Sequence, residues 1–468
     1  MRAIAAATAR SRRRRASAPT APAGELHHLV DAFGLDTVLL AAVDVQGRLK
    51  GKAYDAQVLL ERLRVGRITP EMCGYVIGTD LGMAAPRRGE FSWRSGFGDV
   101  ALLPDLAAAR ILPWMPGAAV VFADPIEGSW PHPLAPTTVL DEQLVGLAAL
   151  GLTVAVGIET EFVLSEGTVR EAAAAGWRGL RPATWDNRDY ALDVPGQVAD
   201  FGRQLMRVLA QAGLPVEAVK LEGAPGQVEV TFPYGDPRLA CRQHVLFKHA
   251  VRVVAEEHSL APTFMAAPAT GVGSGLHLHV SVYRDGEPVL GEGPDATSLS
   301  ELGARAVAGL LEVLPVTAPL WAPYVNSYKR FADHSFAPTL FTWGQDNRTC
   351  AVRVVGHGRG LHLEIRVPGA DANPVLALAA VLAGMRHGIE AAAEPPPASG
   401  GDSYAESEAT PVPVSLAAAL DDFEISALAA RLLGRRATEH LAAVARLDLD
   451  HHNRHVTDAE LARGFAQA

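Results

Sequence analysis

Residues 153–164 read TVAVGIETEFVL. Side chains two apart on a strand share a face. A strand here therefore puts Val154, Val156, Ile158 and Phe162 on one side and Glu159 and Glu161 on the other. Three further stretches repeat this rhythm. His277 and His279 lie in SGLHLH (274–279), and Glu364 and Arg366 lie in HLEIR (362–366). In LEGAPGQVEV (221–230), Glu222 and Glu229 bracket a Gly-Ala-Pro-Gly turn. A single such pair fits a solvated strand edge or a packed histidine. Four together, each near a glycine-marked turn, point to a sheet whose inner face holds divalent cations. Carboxylates with a histidine suit a hard, oxygen-loving metal, Mg²⁺ or Mn²⁺.

A chain of 468 residues usually holds more than one domain, and its 49% hydrophobic content permits a large core. A net charge of −10 argues against nucleic acid as a partner. Cys73, Cys241 and Cys350 are too scattered for a CxxC metal site or a disulfide framework, which suits a reducing cytoplasm. No apolar run reaches the ~18–20 residues of a membrane span. Residues 1–23 form a basic, small-residue-rich tail that is expected to be disordered. Ser, Pro and Thr in Ala16–Gly24 replace the apolar stretch an export signal needs.

The N-terminal part, 24–126, reads as a small mixed domain. A helix is expected at Glu25–Phe33, then a hairpin turning at Gln46-Gly47. Short strands are expected at Tyr75–Ile77, Asp99–Leu103 and VVFADP, with the proline-rich Pro125–Pro136 as linker. The second domain, 130–468, opens with a helix at Thr138–Leu150. Helices also read at Asp200–Ala212, stopped by Gly213, at Pro237–His258 and at Val375–Ala393. The strands between them carry the charged pairs.

The motifs GIETEF, VEAVKLEGAPGQVEV, GSGLHLHVS, VNSYKRF, DNRTCAVR and LEIRVPGADANP occur in one order and at set separations. With them the chain resembles the glutamine synthetase family, type I-like branch, from about residue 25 to the end. The resemblance implies an α+β fold, with a small β-grasp N-terminal domain and a catalytic domain. In the latter an antiparallel half-barrel sheet is flanked by helices. It also implies ATP as co-substrate, two or three Mg²⁺ or Mn²⁺ per site, and glutamate with an amine as substrates. Self-association into rings, as a dodecamer with active sites between subunits, is implied too, without nucleic acid or membrane.

Matched residue by residue, Glu161, Glu222 and Glu229 correspond to ligands of one metal, and Glu159, His277 and Glu364 to those of a second. Glu217, His279 and Ser281 correspond to groups around the nucleotide. Arg330 and Arg366, with Gly273, correspond to the glutamate site. Arg348 and Arg353 correspond to arginines on the transferred phosphoryl group and the ATP phosphates. Tyr190, and Asp44 from a neighbouring subunit, match the ammonium pocket. Such chemistry gathers several negative charges, which metals and arginines offset and position.

The chain departs from the family in the flap NSYKRFADHSFAP (326–338). Phe336 stands where ammonia-using members carry a Glu that takes the proton from ammonium. Lys220 replaces a His beside the metal strand, Val272 an Asn, Ala267 a Lys, and His362 an arginine. Metal and phosphate residues are retained while the ammonium residue is lost, as in γ-glutamylpolyamine and γ-glutamylmonoamide synthetases. The reading is an ATP-dependent ligase joining glutamate to a polyamine or a small amine such as ethanolamine. A true glutamine synthetase using ammonia and a catalytically silent binding or structural protein are the rivals.

Overall fold

The structure, a computed structural model, describes residues 23–64, 70–293 and 296–467. Residues 1–22 of the basic tail lie outside them. A helix at Ala23–Phe33 leads into β1 (Thr37–Val43) and β2 (Leu49–Asp55), the expected hairpin. Gly47 takes φ +72° in its turn, a conformation that favours glycine. The sheet continues with β3 (Glu71–Cys73), β4 (Asp99–Pro104), β5 (Arg110–Ile111), β6 (Ala118–Glu127) and β7 (Trp130–Pro131). Its order is β2-β1-β6-β4-β3, with β5 and β7 also on β6. The β1–β6 pair is parallel. Leu26 and Val30 of the first helix, with Leu59 and Leu60 of the helix Ala56–Arg64, pack against Val38, Leu40 and Val121.

Two expectations here are corrected. Gly74–Ile77 is a 3-10 helix rather than a strand, closed by the Gly78 N–H on the Tyr75 carbonyl. The stretch 125–136 is not a free linker, because β6 runs through Pro125 to Glu127 and turns back as β7. Its backbone remains engaged, with the His132 N–H donating to the Pro125 carbonyl at 2.9 Å.

The second sheet has nine strands among the described residues. They are β8 (Thr153–Glu166), β9 (Ala218–Leu221), β10 (Gln227–Thr231), β11 (Leu260–Thr263), β12 (Leu276–Arg284), β13 (Glu287–Pro288), β14 (Trp343–Gln345), β15 (Val352–Val355) and β16 (His362–Ile365). The order is β14-β15-β16-β12-β8-β10-β9, with β11 on β8 and β13 on β12. Pairing is antiparallel except for β14 with β15. The apolar side of β8, with Val156, Ile158 and Phe162, is buried against helices that include Gly196–Gln211 and Pro237–Glu257. That burial fixes the register, because a slip of one residue would turn Glu159 and Glu161 into the core.

The helix Pro374–Ala391 is long and apolar enough to cross a bilayer, which the sequence reading did not anticipate. It is instead enclosed in the protein core from Pro374 through Met385. Its N-cap, Asn373, also holds the β1–β2 turn. Asn373 Nδ2 donates to the carbonyls of Asp44 at 2.9 Å and Val45 at 3.3 Å. Tyr324 Oη donates to Gln46 Oε1 beside it.

Candidate active site

The sheet register sets out the charged face. Glu161 on β8 stands opposite Glu229 on β10, which stands opposite Lys220 on β9. Glu159 pairs with His277 on β12. His279 pairs with Glu364 on β16, and Glu364 with Arg353 on β15. Six neighbouring strands thus deliver these side chains to one surface.

Two groups of donors result. Oxygens of Glu161, Glu222 and Glu229 lie within 4.8 Å of one another. Donor atoms of Glu159, His279 and Glu364 do the same. The resemblance names His277 rather than His279 in that second group. In the structure both imidazoles face Glu159, His277 Nδ1 at 2.7 Å and His279 Nε2 at 3.6 Å. They sit two apart on one strand face, so the HLH pattern alone does not separate them.

Burial and neighbours divide the carboxylates electrically. Burial raises the affinity of Glu159 for a proton, yet the hydrogen bond with His277 and the imidazole of His279 nearby outweigh it and hold its pKa far below the usual range. Burial acts the same way on Glu364, but Arg366 and the histidines bring it down to about 2. Glu229 has only Lys220 in relief, which does not offset the rest. Burial, then the charge of Glu159, pushes its carboxyl strongly up. Nε2 of His277 and Nε2 of His279 are buried without a hydrogen-bond partner. An excess of buried carboxylate beside orphaned imidazole nitrogens fits divalent cations in both groups.

Glycine at 275 is a packing requirement. A Cβ there would come within 2.8 Å of both Arg330 Nη2 and His277 Nε2. Arg330 is buried, and its guanidinium donates to the carbonyls of Val367 at 3.1 Å and Arg366 at 3.2 Å. Burial draws its pKa down to about 10. Its stem passes Gly273, whose added Cβ would lie 3.1 Å from Arg330 Cγ. Arg366 bonds Glu364 and reaches the Phe336 carbonyl at 3.5 Å. Arg353 bridges Glu364 at 2.8 Å and Asp346. Ser281 is half-buried on the same strand face as His279, whereas Glu217 and Arg348 are exposed.

Phe336 is 65% exposed and takes φ +59° in the flap. Tyr190 is 68% exposed, with the Lys220 ammonium 4.5 Å from its ring centre. Asp44 does not reach the site within its own chain. It is fully buried and accepts from the backbone of Gln46 at 3.0 Å and of Arg48 at 2.7 Å. Arg48 Nε adds a third bond at 2.8 Å. The carboxylate is held in the hairpin turn, because an Asp that accepts from the N–H two residues on closes an Asx turn.

Two residues escaped the sequence reading. Gln227 Nε2 donates to Glu161 Oε2 at 2.9 Å and to the Gly273 carbonyl at 2.8 Å. It lies two residues before Glu229, so the rule that marks Glu229 also marks it. Asp371 is buried, accepts from Ser327 Oγ at 2.7 Å, and ties the segment carrying Arg330 to the one following Arg366. Its partner is distant in sequence, and no local signal announces the contact.

A half-barrel lined by paired carboxylate groups and buried arginines defines an enzyme that gathers anionic substrates around divalent metal. Comparisons with known proteins identify the class. Residues 133–463 match the glutamine synthetase catalytic domain. The chain is 40% identical to the gamma-glutamylethanolamide synthetase of Streptomyces coelicolor, over 95% of this chain and 96% of that one. It is 30% identical to the glutamate–isopropylamine ligase of a Pseudomonas species, over 94% and 97%. A solved structure described as a GmaS/ADP complex superposes with a TM-score of 0.82 at 26% identity, covering 94% of this chain and 99% of that one. The chain belongs to the glutamine synthetase family, and it is a carbon–nitrogen ligase.

Proposed function

We propose that this ligase joins the γ-carboxylate of glutamate to a primary amine larger than ammonia, with ATP as the energy source. The observation that carries it is Phe336 in the flap, where the family's ammonia-using members place a proton-accepting Glu. The similarity to two amine-using ligases supports the same reading. A silent, purely structural role is disfavoured because every carboxylate of both groups is retained.

In this reading Arg330 and Arg366 orient glutamate, with Gly273 leaving room beside them. One γ-carboxylate oxygen attacks the γ-phosphorus of ATP, ADP leaves, and γ-glutamyl phosphate forms. Glu217, His279, Ser281 and Arg353 bind the nucleotide, while Arg348 reaches the transferred phosphoryl group from the rim. The amine nitrogen then attacks the acyl carbon and phosphate departs. Tyr190, Glu222 and, from a neighbouring subunit, Asp44 border the amine and are the groups available to take its proton. Glu161, Glu222 and Glu229 hold one divalent cation, and Glu159, Glu364 and His277, with His279 alongside, hold another. When bound, Mg²⁺ or Mn²⁺ supplies positive charge for the phosphate oxygens.

Ring assembly with shared active sites belongs to the same proposal, and Asp44 enters it only from a neighbouring subunit. Free Cys73, Cys241 and Cys350 suit the cytoplasm. The test is a trap. Phosphoryl transfer to glutamate does not require the amine, so hydroxylamine should intercept the acyl phosphate as γ-glutamyl hydroxamate. ATP consumption with glutamate and hydroxylamine but without hydroxamate would overturn the reading.

A further inference from the structure

Lys220 places a fixed cation at the edge of the amine site. It projects from β9 between the carboxylate groups and the exposed rim. Its ammonium hydrogen-bonds Glu222 and lies 3.5 Å from Glu229 Oε2. Toward solvent it lies 3.8 Å from Asp189 Oδ1 and 4.5 Å from the centre of the Tyr190 ring. The Tyr190 backbone, at φ +56°, is anchored by its N–H to the Leu221 carbonyl at 3.3 Å, so ring and lysine are held on adjacent segments.

Carboxylates and an aromatic face are the groups that recognise an alkylammonium ion. Here they already share one ammonium, and it belongs to the protein. A monoamine brings a single charge and loses it before attack. A diamine keeps a second charge at its far end throughout the reaction. The one carboxylate at the rim close to this lysine, Asp189, is partly neutralised by it. The distal charge therefore finds the rim carboxylate and the aromatic face already occupied by the protein's own ammonium, and meets that like charge there.

We propose that Lys220 is a specificity-determining residue that turns the site against amines bearing a second ammonium and toward monoamines with an uncharged tail. This rests on the amine-ligase reading above. At separations of several ångströms near a protein surface, repulsion between like charges is enough for about ten-fold discrimination or more.

The experiment uses the intact, metal-loaded enzyme with two amines of equal length. These are putrescine and aminobutanol, which carries a hydroxyl in place of the second ammonium. The ratio of their kcat/KM values is read on one preparation, so lost metal occupancy cancels. The wild-type enzyme should favour aminobutanol by about ten-fold or more. Lys220→Gln should bring the ratio most of the way to one, and Lys220→Arg, which keeps the charge, should leave it near wild type. A wild-type preference for putrescine, or an unchanged ratio in Lys220→Gln, would overturn the proposal. Failure of every amine, hydroxylamine included, to yield a γ-glutamyl product would instead overturn the ligase reading beneath it.

Discussion

Two acidic clusters in this protein have the same crowding and opposite electrical character. Glu90, Glu127 and His132, where the small sheet meets the C-terminal helix Arg435–Arg454, bring donor atoms within 4.8 Å. So do Glu161, Glu222 and Glu229 on the large sheet. In the first, Arg436 grips both carboxylates, with bonds of 2.7 Å to each Glu90 oxygen and 3.1 Å to each Glu127 oxygen. Burial keeps His132 below its usual pKa, and its Nδ1 accepts the Leu134 N–H at 3.3 Å. That cluster is a closed ion-pair network. In the second, one lysine reaches only Glu222 and Glu229 of the three carboxylates, and Glu229 is driven toward its protonated form. Crowded acids mark a metal site only where charge is left over.

The largest expected effect separates the two clusters directly. Glu161→Ala or Glu229→Ala should cut ATP- and glutamate-dependent phosphate release by about a thousand-fold or more and weaken Mn²⁺ binding measured by calorimetry. Glu90→Ala should leave turnover within a few-fold of wild type and lower the melting temperature. Equal loss of Mn²⁺ binding in Glu90→Ala would break the distinction.

A second, smaller effect concerns the closed cluster. His440 is buried beside Glu90 and His132, and burial holds its pKa down to about 4. Its folded value lies below that of the unfolded chain, ~6.5. The unfolded chain therefore binds the extra proton. The stabilisation is full above pH ~6.5 and is lost as pH falls toward 4, by about 2–3 kcal/mol. Melting curves at pH 7 and pH 4.5 should show a larger acid-induced loss for wild type than for His440→Gln. Equal losses would show that His440 does not titrate on unfolding.

How much of this was legible in the sequence follows the range of the interactions. The period-two pattern of GIETEF and HLH, and the bracketed Glu222 and Glu229, place the large sheet's charged face without any structure. The choice between His277 and His279 was not legible, because it depends on imidazole orientation rather than on strand face. The proline-rich stretch 125–136 hid two paired strands, because proline signals a break even where neighbouring carbonyls stay bonded. Arg436 was invisible as a clamp, being 346 residues from Glu90 and 309 from Glu127. The use of Asp44 as a turn acceptor was overlooked although its partners, Gln46 and Arg48, are local.

The smallest effect sharpens the meaning of a flap that has lost its carboxylate. Phe336→Glu should move the preference between ethanolamine and ammonium toward ammonium by about ten-fold. It restores an anion that captures and deprotonates a small cation, and it removes an apolar, cation-attracting face. No movement in that ratio would mean the flap does not read the amine.

The central claim is tested most directly by kcat/KM of the unmodified enzyme for ethanolamine and for ammonium, with ATP, Mg²⁺ and glutamate saturating. The structure and its family lead to a higher value for ethanolamine, with γ-glutamylethanolamide as the product. A value for ammonium equal to or above that for ethanolamine, and for the other amines tried, would contradict the account and make the protein a glutamine synthetase.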